Sequence, residues 1–189
     1  ALADVVERHE SLRTVFDDAD GVLAQHVLTD ASPEFSVHEG DAAAVVAEMT
    51  ARPFDLRREI PIRAALIRNE DTSCVVVLVL HHITTDEWSD RPLLADLMAA
   101  YAARLSGDRD VRPPLPVQYA DYTLWQADLL GDAADPQSLA GRQLAFWQSA
   151  LAGSPDELEL ATDRPRPPRP SHRGSVVRRT VDPETVRAL

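Results

Sequence analysis

Lysine is absent from this 189-residue chain. All 19 basic side chains are arginine, set against 31 aspartates and glutamates, for a formal net charge of −12. So acidic a surface lacks the basic patch that phosphate contact demands, which argues against a nucleic-acid partner. Asn69 is the sole asparagine, while Ala, Arg, Asp, Pro and Leu dominate; the arginines thus follow a compositional bias and are weak evidence of function by themselves. A single cysteine, Cys74, rules out an internal disulfide. It lies within an apolar run, where the expected role is that of a small buried hydrophobe. No apolar stretch approaches the roughly 20 residues that span a bilayer, and no signal peptide or lipidation motif is present. A cytoplasmic chain with no membrane partner is the expectation.

What is present is enough apolar content, 44% of residues, to build a core, in a length that suits one domain or slightly more. The most informative stretch is His81-His82-Ile83-Thr84-Thr85-Asp86, directly after Cys74–Leu80. That apolar run is too short for a membrane span and reads as a buried strand. Successive strand side chains point to opposite faces, so the two imidazoles should diverge, one able to face a cleft while the other packs. Divergence makes joint chelation by His81 and His82 awkward, and no Cys or Glu cluster accompanies them, so no metal is expected. Asp86 could steady the turn or pair with an arginine.

Elsewhere, helical spacing of Leu2, Val5, Val6, His9 and Leu12 opens the chain in mid-helix. Thr14–Phe16 and Leu23–Leu28 flank the acidic turn Asp17–Gly21 as a hairpin. Phe35–His38 reads as a strand, and Asp41 caps a helix over Ala42–Ala51 that Pro53 terminates. Pro61–Ile67 and Thr72–Leu80 read as antiparallel strands across a turn at Glu70-Asp71. Arg91–Leu105 is a helix with Pro92 in its first turn and Gly107 beyond its end. Tyr119–Leu130 and Leu139–Leu151 follow as helices, with Tyr122, Trp125 and Leu129 expected in the core. Asp163–Pro170 reads as an extended linker. Gly174–Leu189 holds a strand-like run and then a helix beginning at Asp182-Pro183. Strands and helices in this order predict an α+β fold, a mostly antiparallel sheet covered by helices.

Six ordered segments together resemble the condensation domain of non-ribosomal peptide synthetases. Arg8–Phe16 is similar to its R-H-E-x-L-R-T-x-F segment, and Pro53–Leu56 with Pro61–Ala64 to its F-D-L…P-x-R-A segment. His81–Ser89 resembles the H-H-x-x-x-D-G core, and Tyr119–Trp125 the Y-x-D-Y-x-x-W segment. Phe146-Trp147…Leu151-Ala152-Gly153 and Thr162–Pro167 match two further landmarks. Glu87 stands where the family has Gly, and the Trp88-Ser89 order resembles condensation rather than epimerisation domains.

The resemblance implies a two-lobed fold in which each lobe is chloramphenicol-acetyltransferase-like. Residues 1–170 would be the N-terminal lobe with a truncated start, and 171–189 the crossover toward a C-terminal lobe missing from this chain. It implies amide formation between two thioesters carried on phosphopantetheine arms of upstream and downstream carrier protein domains, beside an adenylation domain. The domain itself would bind no cofactor. By the same resemblance His82 acts on the attacking amine, either as general base or as an orienting group. His81 would support it, and Asp86 would be structural, paired with Arg8 first and Arg13 or Arg63 behind. The fragment alone is expected to be inactive. Two other classes remain open: a catalytically silent recruitment module of a synthetase, and a coenzyme-A-dependent acyltransferase.

Overall fold

A computed structural model describes residues 1–18, 21–69, 73–108, 112–158, 160–171 and 175–188. The Glu70-Asp71 turn, Thr72, part of the Asp17–Gly21 turn, and Gly174 and Leu189 lie outside the described residues. Two compact units divide the chain, 1–144 and 145–189.

In the first unit the central element is β4 (Ile62–Arg68), apolar except for Arg63 and Arg68 and buried along most of its length. β5 (Cys74–Leu80) pairs with it antiparallel, from Ile62↔Leu80 to Arg68↔Cys74. β3 (Glu34–Glu39) pairs on its other side, from Glu34↔Arg63 to Glu39↔Arg68, and this pairing is parallel. The antiparallel expectation thus holds for β4–β5 and for the separate hairpin of β1 (Thr14–Asp17) with β2 (Ala24–Val27). It does not extend to β3–β4, because α2 (Ala42–Ala51) lies between them as a crossover helix, and a crossover returns the chain in the same direction. The Asp41 carboxylate accepts the Ala43 N–H at 2.8 Å and starts that helix.

Strand alternation assigns the two faces of the sheet. On one, Ala65, Ile67, Val77 and Val79 pack beneath Ala42, Val45 and Met49 of α2. At the end of the other, Ile62 and Leu80 join the core of α1 (Leu2–Arg8) and α3 (Asp90–Leu105), where Val5, Val6, Leu12, Val15 and Ala100 are buried. Arg104 ties these two helices by donating to Asp4 from Nη2 (2.5 Å) and Nε (2.9 Å). This bond is the main reason the Asp4 carboxyl is held down at about 2.

Two burial expectations fail. β5 is not buried on both faces: Cys74, Val75 and Val76 are exposed and only Val77 is fully buried. Cys74 is therefore no core hydrophobe. An apolar run reads alike for a central strand and for one flanked on a single side, and among the described residues β5 has only β4 beside it. Likewise Tyr119, Tyr122, Trp125 and Leu129 of α4 (Tyr119–Leu130) are exposed rather than core. The three rings lie tilted against one another along the helix surface, Tyr119 and Tyr122 with centroids 5.9 Å apart and planes at 38°, Tyr122 and Trp125 at 5.7 Å and 39°.

α5 (Leu139–Ala150) starts under a close backbone approach at Gly141, which is buried. A Cβ there would meet the Asp135 carbonyl oxygen at 2.1 Å and its carbon at 2.9 Å, both main-chain atoms that cannot swing aside. Gly141→Ala is expected to lose about 1–3 kcal/mol by overpacking, read as a lower urea midpoint. An unchanged midpoint would show that the 132–138 segment yields freely.

In the second unit, residues 160–171 and 175–182 carry no regular structure, and the strand-like run expected after Gly174 forms no strand. α6 (Pro183–Ala188) begins where Asp182 accepts the Glu184 and Thr185 N–H groups at 3.0 and 2.9 Å. Among the described residues no helix is long and apolar enough to cross a membrane.

Candidate functional site

The site grows from the C-terminal end of β5. The His81 N–H continues the ladder by donating to Pro61 O at 3.0 Å. The chain then turns sharply: the N–H and the hydroxyl of Thr84 both donate to His81 O at 3.1 Å. The Ile83 N–H donates to His81 Nδ1 at 3.0 Å. A nitrogen that accepts cannot carry the proton, so neutral His81 is protonated at Nε2. Its ring meets Phe54 edge-on, with centroids 6.0 Å apart and planes at 83°. His81 is thus locked by its own turn and by packing. His82, one residue on, is exposed and lines an open cavity of about 510 Å³. The two imidazoles diverge into different surroundings.

The facing wall comes from segments remote in sequence. His9 and Ser11 follow α1, while Gln118, Tyr119 and Tyr122 stand at the start of α4. Gln118 fastens the two together: its Nε2 donates to Arg8 O at 3.0 Å, and its Oε1 accepts the Glu10 N–H at 3.1 Å. Behind His9 sits Asp96 of α3. His9 Nε2 lies 2.6 Å from Asp96 Oδ2, Arg8 Nε donates to the same oxygen at 3.1 Å, and Arg112 donates to Oδ1. Burial works against ionisation of Asp96, but the His9 hydrogen bond and the charges of Arg112, His9 and Arg8 outweigh it, so its carboxyl sits below the usual range. Sequence reasoning placed His9 in a helical stripe and in the R-H-E segment but not at the cavity, and it passed over Asp96 altogether. No local pattern marks Asp96, since its partners Arg8 and His9 lie more than eighty positions away.

A histidine presented at a strand end, on an open cavity walled by the Arg8–Phe16 and Tyr119–Trp125 segments, coincides with a family match over the full chain. The condensation-domain model matches residues 1–189. The chain belongs to the condensation-domain family. The isonitrile lipopeptide synthase of Mycobacterium tuberculosis is 48% identical, over 93% of this chain and 7% of that protein. The dimodular nonribosomal peptide synthase of Bacillus subtilis is 46% identical, over 97% and 8%. Among solved structures, the X-domain in its complex with OxyB from teicoplanin biosynthesis superposes with a TM-score of 0.81 at 35% identity, over 90% of this chain and 38% of that one. The chain therefore spans well under half the length of each of these three proteins. Its fold is the α+β, chloramphenicol-acetyltransferase-like lobe of the family.

Within this condensation-domain chain the expected ion pair is not formed. Asp86 pairs with none of Arg8, Arg13 and Arg63. It is exposed, and its Oδ1 accepts the Ser89 N–H at 3.0 Å and the Ser89 hydroxyl at 2.8 Å, while its own N–H donates to Ser89 Oγ at 3.1 Å. This reciprocal cap closes the turn that leads into α3. The Ser89 hydroxyl, ahead of the backbone N–H groups of Ser89 and Trp88, is what lowers the Asp86 carboxyl below its ordinary value. The three arginines are engaged elsewhere. Arg8 holds Asp96 and Pro113 O, and Arg13 donates to Leu28 O at 2.6 Å and lies 3.5 Å from Glu10. Arg63 is buried on β4, stacked on the Phe54 ring. Local capping wins over a long-range pair because Ser89 reaches both Asp86 groups at no loop-closure cost. Glu87, in the position the family gives to Gly, is exposed. Among the described residues no group of three or more His, Cys, Asp or Glu side chains could hold a metal ion.

Proposed function

We propose that this chain is the N-terminal lobe of a condensation domain that joins two carrier-bound thioesters by an amide bond in non-ribosomal peptide synthesis. The observation that carries the reading is the exposed His82 ring on the cavity, held there by a turn that His81 and Asp86 close from either side. The acceptor's α-amine attacks the donor's thioester carbonyl; the C–N bond forms, the C–S bond breaks, and the nitrogen loses the proton that the departing thiolate gains. His82 serves the nitrogen, as general base or as the group that orients it. Holding both reactants together supplies a large share of the rate. Both reactants arrive on phosphopantetheine arms of upstream and downstream carrier protein domains, in the cytoplasm, next to an adenylation domain, and a C-terminal lobe completes the cleft. No resident cofactor enters the scheme.

The likeness to an X-domain solved with OxyB favours a second reading, a condensation-like module that recruits another protein. One experiment separates the two. The complete module is reconstituted with its upstream carrier loaded as donor and its downstream carrier loaded as acceptor, and intact-protein mass spectrometry follows both carriers. The expected result is transfer of the donor mass onto the downstream carrier. Two carriers that stay loaded and unchanged, with the module folded, would support recruitment instead.

A further inference from the structure

Among the described residues Arg63 is the one charged side chain in the fully buried core, and Glu59 and Glu34 act on it by charge without outweighing its burial. Its Nη2 donates to Pro53 O at 3.2 Å, while Nε and Nη1 find no partner among the described residues. Burial accordingly pushes its guanidinium below the ordinary arginine range. A buried cation with two idle donors costs stability relative to an apolar residue of similar size, so it should confer something that such a residue cannot. What it grips is one short stretch of chain. The guanidinium carbon stands 3.7 Å from the centroid of the Phe54 ring, and Nη2 binds the carbonyl directly before Phe54. A planar cation over a ring face fixes both position and tilt. The far side of the contact is His81, whose ring Phe54 meets at right angles. Arg63 and His81 lie on the same face of the sheet, since Arg63 pairs with Val79, two residues before His81. His81 Nδ1 in turn holds the Ile83 N–H, and His82 sits inside that closed turn.

We infer that Arg63 and Phe54 are positioning residues for His82: stacked on each other, they set the plane of the His81 ring, and that ring fixes the turn that presents His82 to the cavity. The inference rests on the reading of His82 proposed above. It makes the contact at Phe54 a determinant of turnover rather than of substrate affinity, because neither Arg63 nor Phe54 lines the cavity that His82 faces.

The test uses the complete module and four variants: Arg63→Met, Arg63→Lys, Phe54→Leu and Phe54→Tyr. Spectra of ¹⁵N-histidine-labelled protein report which ring nitrogen of His81 is protonated, and carrier-to-carrier transfer gives kcat and KM. Arg63→Met and Phe54→Leu are expected to mix the His81 tautomers and to lower kcat by about ten- to a hundredfold with KM little changed, the scale of a small misplacement near the reacting atoms. Phe54→Tyr keeps the ring and should retain the single tautomer and the rate; Arg63→Lys keeps the charge, loses the planar face and should not. Unmixed tautomers in both Arg63→Met and Phe54→Leu would overturn the inference, whatever the rate. Mixed tautomers with undiminished kcat would uphold the positioning and remove the role given to His82. Should Arg63→Met fail to fold, the Leu and Tyr variants at Phe54 decide the outcome.

Discussion

His82→Ala in the complete condensation domain is expected to lower the single-turnover rate of carrier-to-carrier transfer by about a hundredfold or more, the usual worth of a positioned proton-transfer group. The protein should stay folded, because the ring is exposed and lies against the open cavity rather than in the core. Melting temperature and transfer rate, measured on one preparation, check both halves. A folded variant that transfers at the wild-type rate would remove His82 from the chemistry. His81→Ala should act differently, costing stability of the turn as well as rate, since it deletes the acceptor for the Ile83 N–H and the partner of the Phe54 ring.

Asp96→Asn should give the largest loss of stability of any single change near the site. One carboxylate serves three donors, Arg8, His9 and Arg112, and its removal leaves the guanidinium groups of Arg8 and Arg112 without the charge between them. Breaking a fully buried pair costs about 3–5 kcal/mol. The Asp96 side chain is 19% exposed, which places the expected loss nearer about 2–3 kcal/mol. The sign of the pH dependence follows from the lowered carboxyl. A group with a depressed folded-state pKa contributes stability above its unfolded value, and that contribution fades as pH falls through the folded value. The gap between wild type and Asp96→Asn should therefore be full at about pH 6 and shrink below about pH 4. Urea unfolding at several pH values measures it, and a gap that persists unchanged in acid would mean that the carboxylate contributes little. Because His9 lines the cavity, transfer rate should fall with stability in this variant.

The parts of the fold legible in the sequence are those set by local chemistry. Asp41 before an alanine-rich stretch, and Pro53 after it, bound α2 at Ala42–Ala51 as expected. The Tyr119–Leu130 helix has the expected limits, with Gln118 and Asp121 closing a reciprocal cap at its start. The place of His82 was legible too, because a strand of apolar residues ending in two histidines forces one ring away from the packing. What escaped was decided by groups distant in sequence. The parallel pairing of β3 depends on where α2 lies, and the one-sided burial of β5 depends on its neighbours. Neither alters the apolar pattern of the strand itself. Asp86 carried two readings, of which the steadying of its turn holds, through the D-x-x-S spacing of Asp86 and Ser89, while the pairing with a remote arginine that the resemblance implied does not. The aromatic spacing of α4 fits a buried stripe and an exposed one equally well.

The two partners of β4 differ in how the chain reaches them, and this orders the assembly of the sheet. β5 follows after the short 69–73 segment, whereas β3 is separated from β4 by the long 40–61 excursion through α2. The entropy lost in closing a loop rises with its length, and parallel pairing adds further delay. The β4–β5 ribbon should zip first and leave the edge that β3 will occupy open for a time. A nascent chain can already hold the His81–His82 corner while β3, although synthesised earlier, still waits for its seat. Chaperone capture or mispairing during synthesis would then strike at that unfilled edge, across β4 from the His81–His82 turn.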